Sequence, residues 1–116
     1  MATAYEQVWK SLTVMPGQDF AGKRYTFVKL NSSGLGVAPA AGDAVIGVNY
    51  EENNVGQPAQ TVIHGVAFIK LGATIAAGAE AQTDAAGAAI PLATGKAAGI
   101  ILVGGVAGDI GSILLK

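Results

Sequence analysis

The sequence predicts an all-β chain, a small compact β-barrel or β-sandwich with an extended N-terminal arm. Three observations lead there. Short runs suited to a pleated surface recur at nearly regular spacing from Phe20 onward, and turn clusters rich in Gly and Asp separate them. No stretch after Phe20 combines helix length with a 3.6-residue period. A chain of 116 residues has the size of one domain. The expected organisation is an arm over residues 1–19 and a β domain over residues 20–116.

The arm is the exception to the β pattern. Tyr5, Val8, Trp9 and Leu12 fall at i, i+3, i+4 and i+7, which predicts one apolar face of a short helix. A helix this short is marginal in water unless something covers that face. Met15-Pro16-Gly17 then breaks the pattern.

Lys23 to Leu30 carries Tyr, Thr, Phe and Val, residues that pack well on a sheet, and Asn31-Ser32-Ser33-Gly34 follows as a turn. Ala44 to Tyr50 alternates, and Glu51 to Pro58 reads as a polar loop. Gln60 to Leu71 is the strongest strand, with Ile63, Ala67, Ile69 and Leu71 expected on one face and Val62, His64, Val66 and Phe68 on the other. Both faces are largely apolar, as in a strand covered on two sides. Shorter candidates follow at Ala73–Ile75, Ala79–Thr83, Ala88–Leu92, Gly99–Val103 and Ile110–Leu115. Gly78, Thr83 and Gly87, with no apolar stripe, argue against a helix in the Ala-rich stretch from Ala76 to Ala89.

Composition points to assembly. Charged residues make up 13% of the chain, about half the usual share, and depletion of charge is typical of interface cores. The net charge is −1 and the Lys and Arg are scattered, so no stripe matches a row of phosphates and nucleic acid is not an expected partner. The longest apolar run, Ala97 to Gly108, is too short to span a membrane as a helix, and no membrane partner is expected. The start of the chain lacks the basic and apolar run of a secretory signal. There is no Cys, so disulfides and thiolate chemistry are excluded.

Little chemistry survives inspection. His64 is the single histidine and sits mid-strand, where a half-buried, hydrogen-bonded ring is expected. None of Ser11, Ser32, Ser33 and Ser112 lies in a Gly-x-Ser-x-Gly setting. No second His or Cys accompanies His64 at metal-ligand spacing. Glu51 and Glu52 read as a solvated loop, and Asp43, Asp84 and Asp109 as turn residues. Thr94-Gly95-Lys96-Ala97 falls short of a phosphate loop, because Ala97 replaces the hydroxyl residue and Ile90 the first glycine. Gly34-Leu35-Gly36 opens a GxGxxG that Pro39 spoils. The expectation is no catalytic residue, no metal and no cofactor, hence no enzyme.

The C-terminal two-thirds carries motifs in a suggestive order. Val62-Ile63-His64-Gly65-Val66-Ala67 leads into Gly72-Ala73-Thr74-Ile75-Ala76-Ala77-Gly78-Ala79-Glu80-Ala81-Gln82-Thr83-Asp84-Ala85-Ala86-Gly87. Gly95-Lys96-Ala97-Ala98-Gly99-Ile100 and the closing Ala107-Gly108-Asp109-Ile110-Gly111-Ser112-Ile113-Leu114-Leu115 follow. Over about residues 42 to 116 this order resembles the head decoration, or capsid cement, proteins of tailed phages. The resemblance implies a β-barrel or β-sandwich on the outer surface of the virion capsid, bound to the major capsid protein and to itself, often as a trimer. It does not extend to the arm.

The arm's role is therefore argued physically. Tyr5, Val8, Trp9 and Leu12 are the expected contacts to the capsid or a neighbouring subunit, with Trp9 as anchor. An arm of this kind is expected to order only on binding. The alternative is a carbohydrate-binding or host-adhesion module, which needs exposed aromatics; Tyr25, Phe27, Tyr50 and Phe68 are the candidates in the β domain.

Overall fold

The computed structural model describes residues 4–20, 22–50 and 59–115, and among them it is all-β, with no helix. Its strands are β1 (Gln7–Val14), β2 (Thr26–Leu30), β3 (Gly36–Val37), β4 (Gly47–Asn49), β5 (Ala59–Lys70), β6 (Glu80–Thr83), β7 (Ala89–Pro91), β8 (Gly99–Val103) and β9 (Ile110–Leu115). They form one curled antiparallel sheet in the order β3-β2-β4-β5-β9-β8-β6-β7, with β1 paired to β5. The all-β expectation holds, and the sheet has the curvature of a half-barrel.

Gly99–Val103 and Ile110–Leu115 are strands with the bounds expected of them, and Gln60–Leu71 is β5 displaced by one residue. Ala44–Tyr50 contracts to β4, and Ala73–Ile75 reduces to a single bridge between Ile75 and Gly105. The helix expected over Tyr5 to Leu12 is absent: β1 runs antiparallel along β5, from Gln7 beside Val66 to Val14 beside Ala59. The pairing gives partners to the backbone groups of β1 that face β5, whereas a helix this short is marginal by itself. The segment is thus ordered within its own chain. The Glu51–Pro58 loop lies outside the described residues.

The fold is built twice. Asn31 and Asp84 lie in equivalent hairpin tips: each accepts two backbone N–H groups on its side chain, from Ser33 and Leu35 and from Ala86 and Ala88. Gly34 and Gly87 close these tips at positive φ. The same spacing relates the β2–β3 pair Lys29–Val37 to the β6–β7 pair Gln82–Ile90. Val28 opposite Gly47 becomes Ala81 opposite Gly99, and Val14 opposite Ala59 becomes Ile69 opposite Gly111. Even the isolated parallel bridges correspond, Pro16 to Gly36 and Leu71 to Ala89. The first repeat is therefore β1-β2-β3-β4 and the N-terminal half of β5. The second is the C-terminal half of β5 with β6-β7-β8-β9.

The operation that relates the repeats reverses strand direction, because the two halves of the correspondence meet in the antiparallel β5–β9 pair. Gly42 and Gly95 are equivalent residues, and they touch. A Cβ on Gly95 would lie 2.3 Å from the Gly42 Cα, so only glycine fits this crossing near the pseudo-dyad. Here Lys96 N–H donates to the Gly42 carbonyl and Gly42 N–H to the Thr83 carbonyl. One core spans both repeats, joining Phe27, Val48 and Val62 of the first to Ile69, Ile101 and Ile113 of the second.

Candidate functional site

Gly65 sits at the middle of β5, where the two repeats join, and sets the geometry around it. Its φ is +105°, and a Cβ there would meet the Gln7 carbonyl oxygen at 2.4 Å and the Trp9 nitrogen at 2.7 Å. Glycine is therefore what lets β1 close against β5 at this point. The register between the strands shifts on either side of Lys10. The inward face of β5 changes over as well. Thr61 and Val62 are buried before Gly65, and Ala67, Ile69 and Leu71 after it. This departs from the strict alternation expected of the strand, with Ile63 only half-buried. His64 is exposed rather than half-buried, and lies opposite Lys10.

β1 itself stands out from the body, with every residue exposed except Val14. Tyr5, Val8, Trp9 and Leu12 are 50%, 40%, 65% and 46% exposed, and Met15 extends the strip. Exposure at this level decides that they are not core residues. The structure brings the four together on one segment, as a strand rather than as a helix face. Met15 joins them although its spacing set it apart in a helical reading.

The strip is held firmly at both ends. Tyr5 N–H donates to Ser112 Oγ at 2.7 Å, and Ser112 Oγ–H donates to the Tyr5 carbonyl. At the other end Gln60 Nε2 donates to Thr13 Oγ1 at 2.6 Å. Val14 anchors the strand by packing on Gly36. Apolar side chains are thus displayed on an ordered backbone, which lowers the entropy cost of binding through them.

Elsewhere the acids do structural work, as their turn positions predict. Asp84 caps the β6–β7 tip, and Asp109 accepts Val106 N–H across its own turn. Asp43 accepts Ala40 N–H and the Lys29 ammonium, 2.7 Å away. The hydrogen bond from Lys29, with that from Ala40, holds the Asp43 carboxyl below the ordinary carboxylate range. In the second repeat Gln82 occupies the position of Lys29, and its Oε1 accepts N–H groups of Ala93 and Gly95 in the equivalent turn. Among the described residues, no group of three or more His, Cys, Asp or Glu is placed to hold a metal ion.

The aromatic candidates of the alternative reading are divided. Phe27 is fully buried, while Tyr25 and Phe68 are half-buried and packed edge-on at 5.3 Å between ring centres. Tyr50 packs partly buried against the core. The most exposed aromatics are Trp9 and Tyr5. Searched against family models and against curated proteins, the chain matches none.

Proposed function

We propose that the protein is a structural cement of a phage head, binding the outer surface of the assembled capsid between major capsid protein subunits. The observation that carries this reading is the apolar strip Tyr5, Val8, Trp9 and Leu12, displayed on an ordered strand of a charge-poor chain. Exposed apolar residues gathered in this way mark interaction surfaces. Burying the exposed part of such side chains contributes up to roughly 1.5–3 kcal/mol each, and the tethered strand orders little further on binding. A protein that binds only the assembled lattice stabilises it by mass action. The chemistry required is contact alone, so no residue is assigned a catalytic role and no cofactor is invoked.

The test is gradient sedimentation of the native source lysate with this chain tracked by mass spectrometry. Co-migration with DNA-filled heads, near the stoichiometry of capsid subunits, is the expected result. A chain found only as a free small species overturns the reading. Trp9→Ser with Leu12→Ser should weaken head binding by at least about tenfold and leave the fold unchanged by circular dichroism, because both side chains are already exposed.

One observation favours a second reading, a carbohydrate-binding or adhesion module. Trp9 of β1 and Tyr5 just before it are both exposed, and exposed aromatic rings stack on sugars. Binding on a glycan array that Trp9→Ala abolishes, without co-sedimentation with heads, would select it.

A further inference from the structure

The turn that leads into β2 differs from its counterpart in the second repeat, and the difference gathers charge. Tyr25 N–H donates to the Asn49 carbonyl, and Gly78 N–H to the Ile101 carbonyl. Asn49 and Ile101 are themselves equivalent, paired with Thr61 and Ile113. Tyr25 therefore stands where the second repeat has Gly78, and both have positive φ, +63° and +89°. Glycine adopts this backbone freely, whereas a tyrosine is strained by it. Strain held at one position in this way points to a task for the side chain.

The neighbours of Tyr25 show what that task is. Its ring packs edge-on against Phe68, and the Arg24 guanidinium lies over it, 4.9 Å from the ring centre. Arg24 Nε donates to the Tyr50 carbonyl at 3.1 Å. Arg24 is nonetheless exposed, and its two Nη groups hydrogen-bond none of the described residues. A planar fork is thus fixed along one edge and offered to solvent along the other. Lys23 precedes it in the chain, and Lys70 joins the same turn. The Lys70 N–H donates to the Tyr25 carbonyl at 2.8 Å, and its ammonium lies 3.5 Å from the Gly22 carbonyl oxygen. Three of the chain's seven Lys and Arg meet here. Among the described residues no carboxylate forms an ion pair with any of the three, in contrast to Lys29 with Asp43. Around Gly78 the second repeat has Ala76, Ala77 and Ala79 in place of these cations.

We propose that this turn is a second contact site, at which Arg24, flanked by Lys23 and Lys70, grips carboxylate side chains on the surface of a protein partner. Charge complementarity selects that occupant. A guanidinium fixed through Nε presents its Nη hydrogens in the geometry that a carboxylate accepts with both oxygens. An arginine held in place beforehand loses little side-chain freedom on binding. A nucleic-acid backbone asks for a row of cations, and beyond this turn Lys29 is taken up by Asp43 while Lys10 lies on β1. The site adds a contact of different chemistry to the apolar strip. The strip supplies burial, and the turn supplies orientation, because charged contacts fix register and speed encounter. In taking the capsid as the carrier of those carboxylates, the inference rests on the cement reading.

The experiment is an NMR titration of the amide groups of the full chain with a capped glutamate hexapeptide. The glutamine hexapeptide and inorganic phosphate are run beside it. Saturable shifts centred on Gly22 to Tyr25 and on Lys70 are expected with the glutamate peptide, fading as salt is added. Arg24→Gln should weaken this binding by about fivefold or more, and Arg24→Lys, which keeps the charge without the fork, should recover only part of it. The amide spectrum of each variant reports that it is folded. Absent shifts, equal shifts with the glutamine peptide, or an Arg24→Gln as tight as the unaltered chain overturns the proposal. Phosphate bound more tightly than the glutamate peptide overturns the choice of carboxylate. A chain that ignores the peptide and still co-sediments with heads removes this site alone. A chain that binds the peptide and is absent from heads removes the cement reading alone.

Discussion

At single positions the structure makes sharp demands. Gly65→Ala introduces a Cβ into the Gln7 carbonyl at a φ that side-chain-bearing residues rarely adopt. It should lower stability by roughly 2–4 kcal/mol, read as the urea midpoint; an unchanged midpoint would refute the close approach of β1. Asp43 gives a pH signature. Its pKa is depressed in the folded state by Lys29 first and Ala40 second. The stability it contributes is therefore present above the ordinary carboxylate range and is lost as pH falls through the lower, folded value. In thermal melts, Asp43→Asn should lie below the unaltered protein at neutral pH, and the gap should close on acidification. A constant gap counts against the Lys29 contact as its cause. The turn roles of Asp43, Asp84 and Asp109 were legible in the sequence, since each adjoins small residues and glycine. The exposure of His64 was not, because it depends on the change of face at Gly65, which is set by another strand.

Among elements, β1 carries the lesson about legibility. Tyr5, Val8, Trp9 and Leu12 satisfy a helical spacing, yet Val8, Trp9 and Leu12 lie in a strand and Tyr5 just before it. Spacing reports structure only when one face must be hidden, and β1 hides almost nothing. The residues of the candidate strip were therefore readable from their apolar character, while their conformation was decided by the open edge of β5. β5 was readable because burial constrained it: its apolar run is long and bounded by turns. β3 was missed because two residues, Gly36 and Val37, carry no pattern. Its partner registers come from the Asn31 tip. Asn31→Ala removes the acceptor for Ser33 and Leu35 N–H, and should cost about 1 kcal/mol, measured by thermal melting. Loss of nothing would mean that the hairpin register is set elsewhere.

For the whole molecule, the all-β class was legible, and the duplication was not. The repeats keep several glycines but little else: Asn31 caps one tip and Asp84 the other, and Lys29 with Asp43 in one does the task of Gln82 in the other. The spacing also slips between strands, so no single offset aligns the halves. What survives is geometry, and it has a topological corollary. Leu115 of β9 lies opposite Gly65 and β1 begins beside Val66, so β9 and β1 follow one another along β5. A circular permutant that links Leu115 to Gln7 and opens the chain within residues 51–58 should fold, with a melting temperature within several degrees of the original. A permutant that aggregates on refolding would argue against this adjacency.

Because β5 is the last strand of one repeat and the first of the other, neither half can open without releasing the other. Deuterium exchange at amides of the buried central strands, Val62 and Ile113 alike, should then be gated by a single event, the unfolding of the entire body. Among the described residues β1 has β5 as its one neighbour and its side chains are exposed, so its amides should exchange by a separate opening of lower energy than the global event. The molecule should thus divide by timescale rather than by sequence: a slow body in which two repeats are kinetically one, and a tethered strand whose opening is a separate and faster event.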